Sequence, residues 1–211
     1  MHADDKVKRR EALLDAAETL WIADSGRGLR IEDVARAAGV AKGTVYLYFP
    51  GKEELLLAVH TRHIDHFFTK LCDACGREQR LTLDELLELT MEHLVKVPGF
   101  LPMSNLCSGL LESGVPVDTA LHFKRHVAGW LQRAGTLMQA HFPLLTMERG
   151  AVLLMHSYAL IIGLWQLLHP SRLHAPGCGD AMLGLVDRDY DTELRFALRA
   201  LWVGELSEAV H

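Results

Sequence analysis

Apolar residues recur every three to four positions along nearly the whole chain, and no run of β-branched residues alternates with polar ones as a half-buried strand would. The pattern predicts an all-α protein. A first helix over 6–23 puts Leu13, Ala17, Leu20 and Trp21 on one face and stops near the turn-forming Ser25, Gly26 and Gly28. Two short helices follow over 31–38 and 42–48. Pro50 and Gly51 interrupt the pattern, and Lys52 then opens a long helix to Cys75 whose apolar face includes Leu56, Val59, Phe67 and Leu71. Further helices are predicted at 82–96, 102–113, 117–141, 147–168 and 190–208. They are separated by Pro98-Gly99, Gly114-Val115-Pro116, Pro143 and the stretch from Pro170 to Gly179.

Two of these helices are unusually apolar. From Gly150 to Ser171 there are 22 residues without Lys, Arg, Asp or Glu, long enough in principle to cross a bilayer. His156, Ser157, Gln166, His169 and Pro170 argue against a span, as does the lack of flanking aromatic and basic anchors. Burial in protein is the better reading. A helix apolar all round needs cover on every side, so a second copy of the chain is the expected neighbour. The last helix points the same way, because Leu194, Ala197, Leu198, Leu201, Trp202 and Leu206 form a stripe that would otherwise meet water.

Composition adds limits. At 211 residues, with 49% hydrophobic and 23% charged content, the chain is ordinary globular material for a small domain and a medium one. Residues 2 to 11 are almost all charged or polar rather than a secretory leader, so a cytoplasmic protein is expected. Cys72, Cys75, Cys107 and Cys178 are too few and too unevenly spaced for a disulfide framework. The formal charge of −5 comes from the part beyond residue 62, since residues 1–62 hold ten basic and ten acidic side chains. A nucleic-acid partner is therefore allowed, though charge alone does not point to one.

The segment Ile31 to Phe49, IEDVARAAGVAKGTVYLYF, is laid out as a helix-turn-helix. Ala35 and Ala38 let two helices cross closely, Gly39 can take the positive φ that ends the first, and Val34, Val40, Val45 and Phe49 can share a core. Lys42, Thr44, Tyr46, Leu47 and Tyr48 are then left to face a groove.

Extended to Gly28 to Leu56, GLRIEDVARAAGVAKGTVYLYFPGKEELL, the segment resembles the DNA-binding signature of the TetR family. The resemblance covers about the first 60 residues. It implies a three-helix DNA-binding domain over 1–51, joined by a long helix to a helical ligand-binding and dimerisation domain over 52–211. It also implies a homodimer on a palindromic operator of double-stranded DNA, released by a small, largely apolar effector, with no catalysis. On the DNA side it implicates Arg30, Lys42, Gly43, Thr44, Tyr46, Leu47, Tyr48 and Lys52, the last gripping a phosphate. Arg30 departs from the family pattern, which has a capping Ser or Thr there; a missing cap costs about 1 kcal/mol. The final two helices would pair with those of a second subunit through Leu164, Leu168, Leu194, Ala197, Leu198, Leu201 and Trp202.

Candidates for the effector pocket are apolar and aromatic residues with a few polar ones among them: Phe67, Leu71, Met91, Phe100, Met103, Cys107, Leu110, Phe123, His126, Trp130, His156 and Trp165. Taken singly, each fits ordinary helix-bundle core better than a pocket wall, since flexible Met and bulky aromatics fill cores too. His60, His63 and His66, and the pair His122 and His126, have spacings compatible with metal binding, but no carboxylate stands between the pair as a zinc hydrolase requires. Cys72 and Cys75 form a CxxC without a βαβ context, and the acidic cluster Asp187, Asp189, Asp191 and Glu193 suits the start of the last helix better than a calcium loop. No metal or cofactor is expected.

Overall fold

A computed structural model of the chain describes residues 3–25, 28–168 and 188–208. Gly26, His169, the stretch from Pro170 to Gly179 with Cys178, and Asp187 lie outside the described residues. Among the described residues the protein is all-helical: α1 (Ala3–Ala23), α2 (Ile31–Ala37), α3 (Lys42–Tyr46), α4 (Lys52–Cys75), α5 (Leu83–Thr90), α6 (Phe100–Gly109), α7 (Val117–Met138), α8 (Met147–Leu168) and α9 (Tyr190–Glu208). Helices α5 and α6 each continue into a wider π-helical turn, Met91–Val95 and Leu110–Gly114. The chain forms two compact units, one of residues 1–66 with 96–126 and the other of residues 67–95 with 127–211.

In the first unit, α1 contributes Leu13, Leu14, Ala17 and Trp21 to a core shared with Val34 and Ala35 of α2, Val45 of α3, Phe49, Leu55 to Leu57 and Val59 of α4, and Met103 and Cys107 of α6. Each large aliphatic side chain taken out of water here contributes on the order of 2 kcal/mol. Gly39 ends α2 at φ +66°, as the turn requires. The far end of α1 is tied to the start of α6: Trp21 donates its indole N–H to the Gly99 carbonyl at 2.9 Å. Gly99 has φ +76°, and a Cβ there would lie 2.8 Å from Trp21 Cδ1, so both backbone and space demand glycine.

Polar contacts add a second tie between α1 and α4. Arg62 donates to Asp15 at 2.6 Å and to Glu18, and His63 Nε2 lies 2.5 Å from the other Glu18 oxygen. Burial pushes the Glu18 carboxyl up, but His63 and Arg62 together hold it below the ordinary glutamate range. His60 is packed between the rings of Phe100 and Phe123, 5.7 and 5.9 Å away. Burial, with His63 beside it, lowers its imidazole to about 3, so it is neutral at ordinary pH.

In the second unit, α5 starts with a full capping box: the Thr82 hydroxyl accepts from the Glu85 N–H, and Glu85 accepts from the Thr82 N–H. His141 is a buried staple. Its Nδ1 accepts from the Leu81 N–H at 2.8 Å while Nε2 donates to the Cys75 carbonyl at 2.7 Å, which closes the end of α4. Helices α7 and α8 approach closely at Gly135, where a Cβ would lie 2.4 Å from the Met147 carbonyl oxygen. Helix α9 packs on α8 and α5 with Leu194, Leu198 and Trp202 buried, and the Trp202 indole donates to Ser157 Oγ at 2.9 Å. Salt bridges join Arg195 to Glu88 and Arg199 to Asp84 from α9 to α5.

Helix α8 is long and apolar enough to span a bilayer, at mean hydropathy 1.7. It buries Leu153, Leu154, Ser157, Ile161 and Ile162 within the unit, while Met155, Ala159, Gly163 and Leu167 stay exposed. Beyond Arg149, one side of this charge-free stretch is thus covered by its own chain, and the other is exposed.

Candidate nucleic-acid interface and ligand-facing residues

The surface of the helix-turn-helix is built by exclusion. Val45 and Phe49 must point inward, so the intervening Tyr46 and Leu47 point out, and Leu47 is 80% exposed and Tyr46 45%. Helix α3 is shorter than expected, ending at Tyr46; Leu47 and Tyr48 follow in tight turns to Thr44 and Val45. Gly43 is exposed, and no atom lies within 4 Å of where its Cβ would be, so a partner's backbone can come close there. Thr44 is half-buried.

The charged candidates differ from one another. Lys42 reaches back 2.5 Å to Glu32 of α2 and lies over the Tyr46 ring, and Glu32 raises its ammonium above the ordinary lysine value. Contact with a base edge would have to displace that pair. Arg30 is exposed, extended at φ −116°, and makes no capping bond, in keeping with the departure noted in the sequence. Lys52 sits half-exposed at the first position of α4 beside Glu53, where backbone N–H groups also point outward.

Tyr48 requires a correction. Its ring is half-buried against the core and its hydroxyl is buried without a hydrogen-bond partner among the described residues. It supports the recognition segment from below, because it lies on the same side as Val45 rather than beside Leu47.

The expected pocket residues fall into both units. Phe100, Met103, Cys107, Leu110, Phe123 and His126 belong to the first, and Phe67, Leu71, Met91, Trp130, His156 and Trp165 to the second. Phe67, Leu71, Met91, Phe100, Met103 and Cys107 are buried, and burial raises the Cys107 thiol to about 12, which makes it an inert core residue. Leu110, Phe123, His126, Trp130 and Trp165 are half-buried; Trp130 stacks on Phe68 at 5.7 Å. His156 stands exposed on α8 and so lines no interior surface. A groove of about 520 Å³ in the first unit is lined by Phe123 and His126, with Leu14, Tyr48, Phe49, Leu57 and Arg62 among its other walls.

The dimer candidates on α9 also need revision. Leu194, Leu198 and Trp202 are fully buried inside the subunit, so no partner can reach them. Ala197, Leu201, Leu164 and Leu168 are half-buried. The large apolar side chains that α9 leaves in the open are Phe196, at 72% exposure, and Val203, about two turns further along the helix. The stripe was legible, but it packs on α8 of the same chain.

Among the described residues no three His, Cys, Asp or Glu side chains are grouped to hold a metal ion. Two of the three-spaced histidines, His60 and His63, are core residues, and His126 lies 2.5 Å from Asp65. Cys72 and Cys75 are buried at the end of α4, and burial, with Cys72 alongside, raises the Cys75 thiol to about 11.

Comparison with known proteins fits this geometry. Residues 13–59 match the bacterial regulatory proteins of the tetR family, and residues 61–209 match the tetracyclin repressor-like C-terminal domain. The HTH-type transcriptional repressor KstR2 of Rhodococcus jostii is 35% identical over 164 residues, 60% of this chain and 80% of that protein. The fatty acid metabolism regulator protein of Bacillus subtilis is 35% identical over 87 residues, 41% of this chain and 44% of that protein. The fold is also that of the fatty acid degradation regulator FadR from Bacillus halodurans, with TM-score 0.59 and 17% identity over 92% of this chain and 94% of that one. This chain belongs to the TetR family of DNA-binding transcriptional regulators.

Proposed function

We propose that the protein is a repressor that holds a palindromic operator as a homodimer and releases it when a small, largely apolar molecule binds the helical domain over 52–211. The observation that carries the DNA half of this reading is the exposed Tyr46 and Leu47 on a segment whose other side is locked into the core. Side chains held this way can be presented to a major groove without loss of packing. Tyr46, Leu47, Thr44 and Lys42 face the bases, while Arg30, Gly43 and Lys52 contact the backbone.

Dimerisation follows from the outer sides of α8 and α9. Met155, Ala159, Gly163 and Leu167 on one helix, and Phe196 and Val203 on the other, are what a second copy would cover. Two recognition segments about 34 Å apart in such a dimer can read the two halves of a palindrome. A soluble regulator of this kind works in the cytoplasm. The apolar effector is supported by the many buried aromatic and Met side chains of the helical domain, and two of the relatives are named for fatty acid metabolism or degradation.

Selection of bound sequences from a random duplex pool, with light scattering on the same purified protein, tests the reading. Enrichment of a palindrome by a dimer is the expected result. A folded monomer that enriches nothing would overturn it.

A further inference from the structure

We infer that the first turns of α1 form a second DNA-binding element, a basic helical arm that grips phosphates beside those held by Lys52. The inference rests on the DNA-binding reading above. Helix α1 begins at Ala3, ten residues before the family match opens at Leu13. Residues 4–10 are all exposed, so more than a turn and a half of helix, about 10 Å at 1.5 Å per residue, buries no core. It carries Lys6, Lys8, Arg9 and Arg10 against Asp4 and Asp5.

The charges are sorted by face. Lys6 and Arg10 are four apart and continue the line of Leu13, Ala17 and Trp21, the stripe that packs on the helix-turn-helix. Arg9 flanks them, one turn before Leu13. Lys8 points to the opposite side. The acidic positions Glu11, Asp15 and Glu18 are engaged by Arg62 of α4, at 3.7 Å for Glu11, 2.6 Å for Asp15 and in direct contact for Glu18. Lys6 and Arg9 have no ion pair among the described residues, and Arg10 has a loose one to its neighbour Glu11 at 3.4 Å. Glu11, Asp15 and Glu18 are thus engaged within the fold, while Lys6 and Arg9, with Asp4 and Asp5 in the turn before them, are left to face a partner.

One contact fixes where the basic face stands. The Arg10 guanidinium lies 5.2 Å from the centre of the Phe49 ring, and Phe49 is three residues before Lys52, at the turn that leaves the recognition segment. A polyanion that meets Lys52 would come toward Arg10 at Phe49, with Lys6 one helical turn further along α1. The chemistry is that of a phosphodiester backbone: point charges on flexible stems, no hydrogen-bond acceptor, and no pocket for a base.

Such contacts release counterions, so the slope of log affinity against log salt should report them at about 0.9 per phosphate. In the full-length protein, Lys6→Gln with Arg9→Gln should flatten that slope by nearly two and weaken binding roughly tenfold at low salt. The loss should be equal on a random-sequence duplex and on the selected palindrome, because backbone contacts carry no sequence information. Lys8→Gln, on the other face, should change neither. Lys52→Gln serves as the reference for a phosphate contact within the family's own region. A flattened slope for Lys52→Gln beside an unchanged one for Lys6→Gln with Arg9→Gln would overturn the arm and leave the regulator reading intact. Failure of the unaltered protein to bind any duplex would overturn both.

Discussion

Two regions of the protein hold apolar side chains out in water, and they differ in kind. At the end of α3, Tyr46 and Leu47 stand alone among Lys42, Glu32 and Arg30. Along α8 and α9 the exposed apolar positions repeat at helical spacing, from Met155 to Leu167 and from Phe196 to Val203, and on α8 they lie in a stretch free of charge. A few exposed groups rimmed by charge suit a partner that is itself charged and that comes and goes. A long, charge-poor face suits permanent cover. On the function proposed above, the first region would read DNA and the second would hold a second subunit.

The inner side of α9 offers the hardest way to break that comparison. Trp202→Ala removes a buried indole and its bond to Ser157, and should cost about 3–5 kcal/mol in denaturant unfolding. If Trp202 instead served a partner subunit, its loss would change the dimer dissociation constant and leave the stability of the subunit's own packing unmoved. Phe196→Glu asks the reverse question. It should leave the helices folded but weaken the dimer by about 2–3 kcal/mol, roughly a hundredfold in dissociation constant, read by light scattering over dilution.

Proton linkage compares the packed interiors instead. The Trp202 N–H has a partner, whereas His60 Nδ1 is buried without one among the described residues. With its folded value lowered to about 3 from an ordinary 6.5, His60 takes up a proton on unfolding throughout that window. Its contribution is whole above pH 6.5 and falls as pH drops toward 3, by up to about 1.4 kcal/mol per pH unit. Glu18, also lowered, adds a loss in the same direction at lower pH. Unfolding free energies between pH 6.5 and 4.5 should therefore fall by about 2–3 kcal/mol in the unaltered protein, and distinctly less in His60→Leu. Equal slopes in the two proteins would show that His60 is charged in the fold.

Much of this fold is legible in the sequence because periodicity and punctuation agree. The expected bounds of α8 and α9 are those observed, and the core of the helix-turn-helix holds Val34, Val45 and Phe49 as expected. What periodicity lacks is the identity of the neighbour. Leu194, Leu198 and Trp202 read as a buried stripe, but a stripe does not say whether its cover is the same chain or another. Tyr48 was misplaced for a related reason: α3 ends two residues early, and the tighter turn swings its ring under the segment. The π-helical turns after α5 and α6 carry no composition signal, and the core roles of His60 and His63 are hidden in the sequence because Glu18 and Phe100 are remote from them.

At the DNA-facing end, Tyr46→Ala should weaken operator binding at least tenfold, about 1.4 kcal/mol or more, with the dimer unchanged. Full affinity in that variant would remove Tyr46 from the interface and leave Leu47 as its main apolar contact.

The smallest expected effect separates stability from function at a single residue. Arg30 occupies the N-cap of α2 in an extended conformation that a capping residue would use, yet its side chain caps nothing. In Arg30→Ser the hydroxyl can accept from the N–H of Asp33 without any change in backbone, for a gain of about 0.5–1 kcal/mol in thermal or denaturant stability. The same change removes a cation from the DNA-facing side, so affinity should fall and the salt slope should flatten by about 0.9. A variant that is more stable and binds less well would mean that Arg30 is kept for the phosphate it contacts at the expense of the cap. If stability rises while affinity and salt slope hold, Arg30 makes no backbone contact, and the DNA-facing charge of this end rests on Lys52 and the α1 arm.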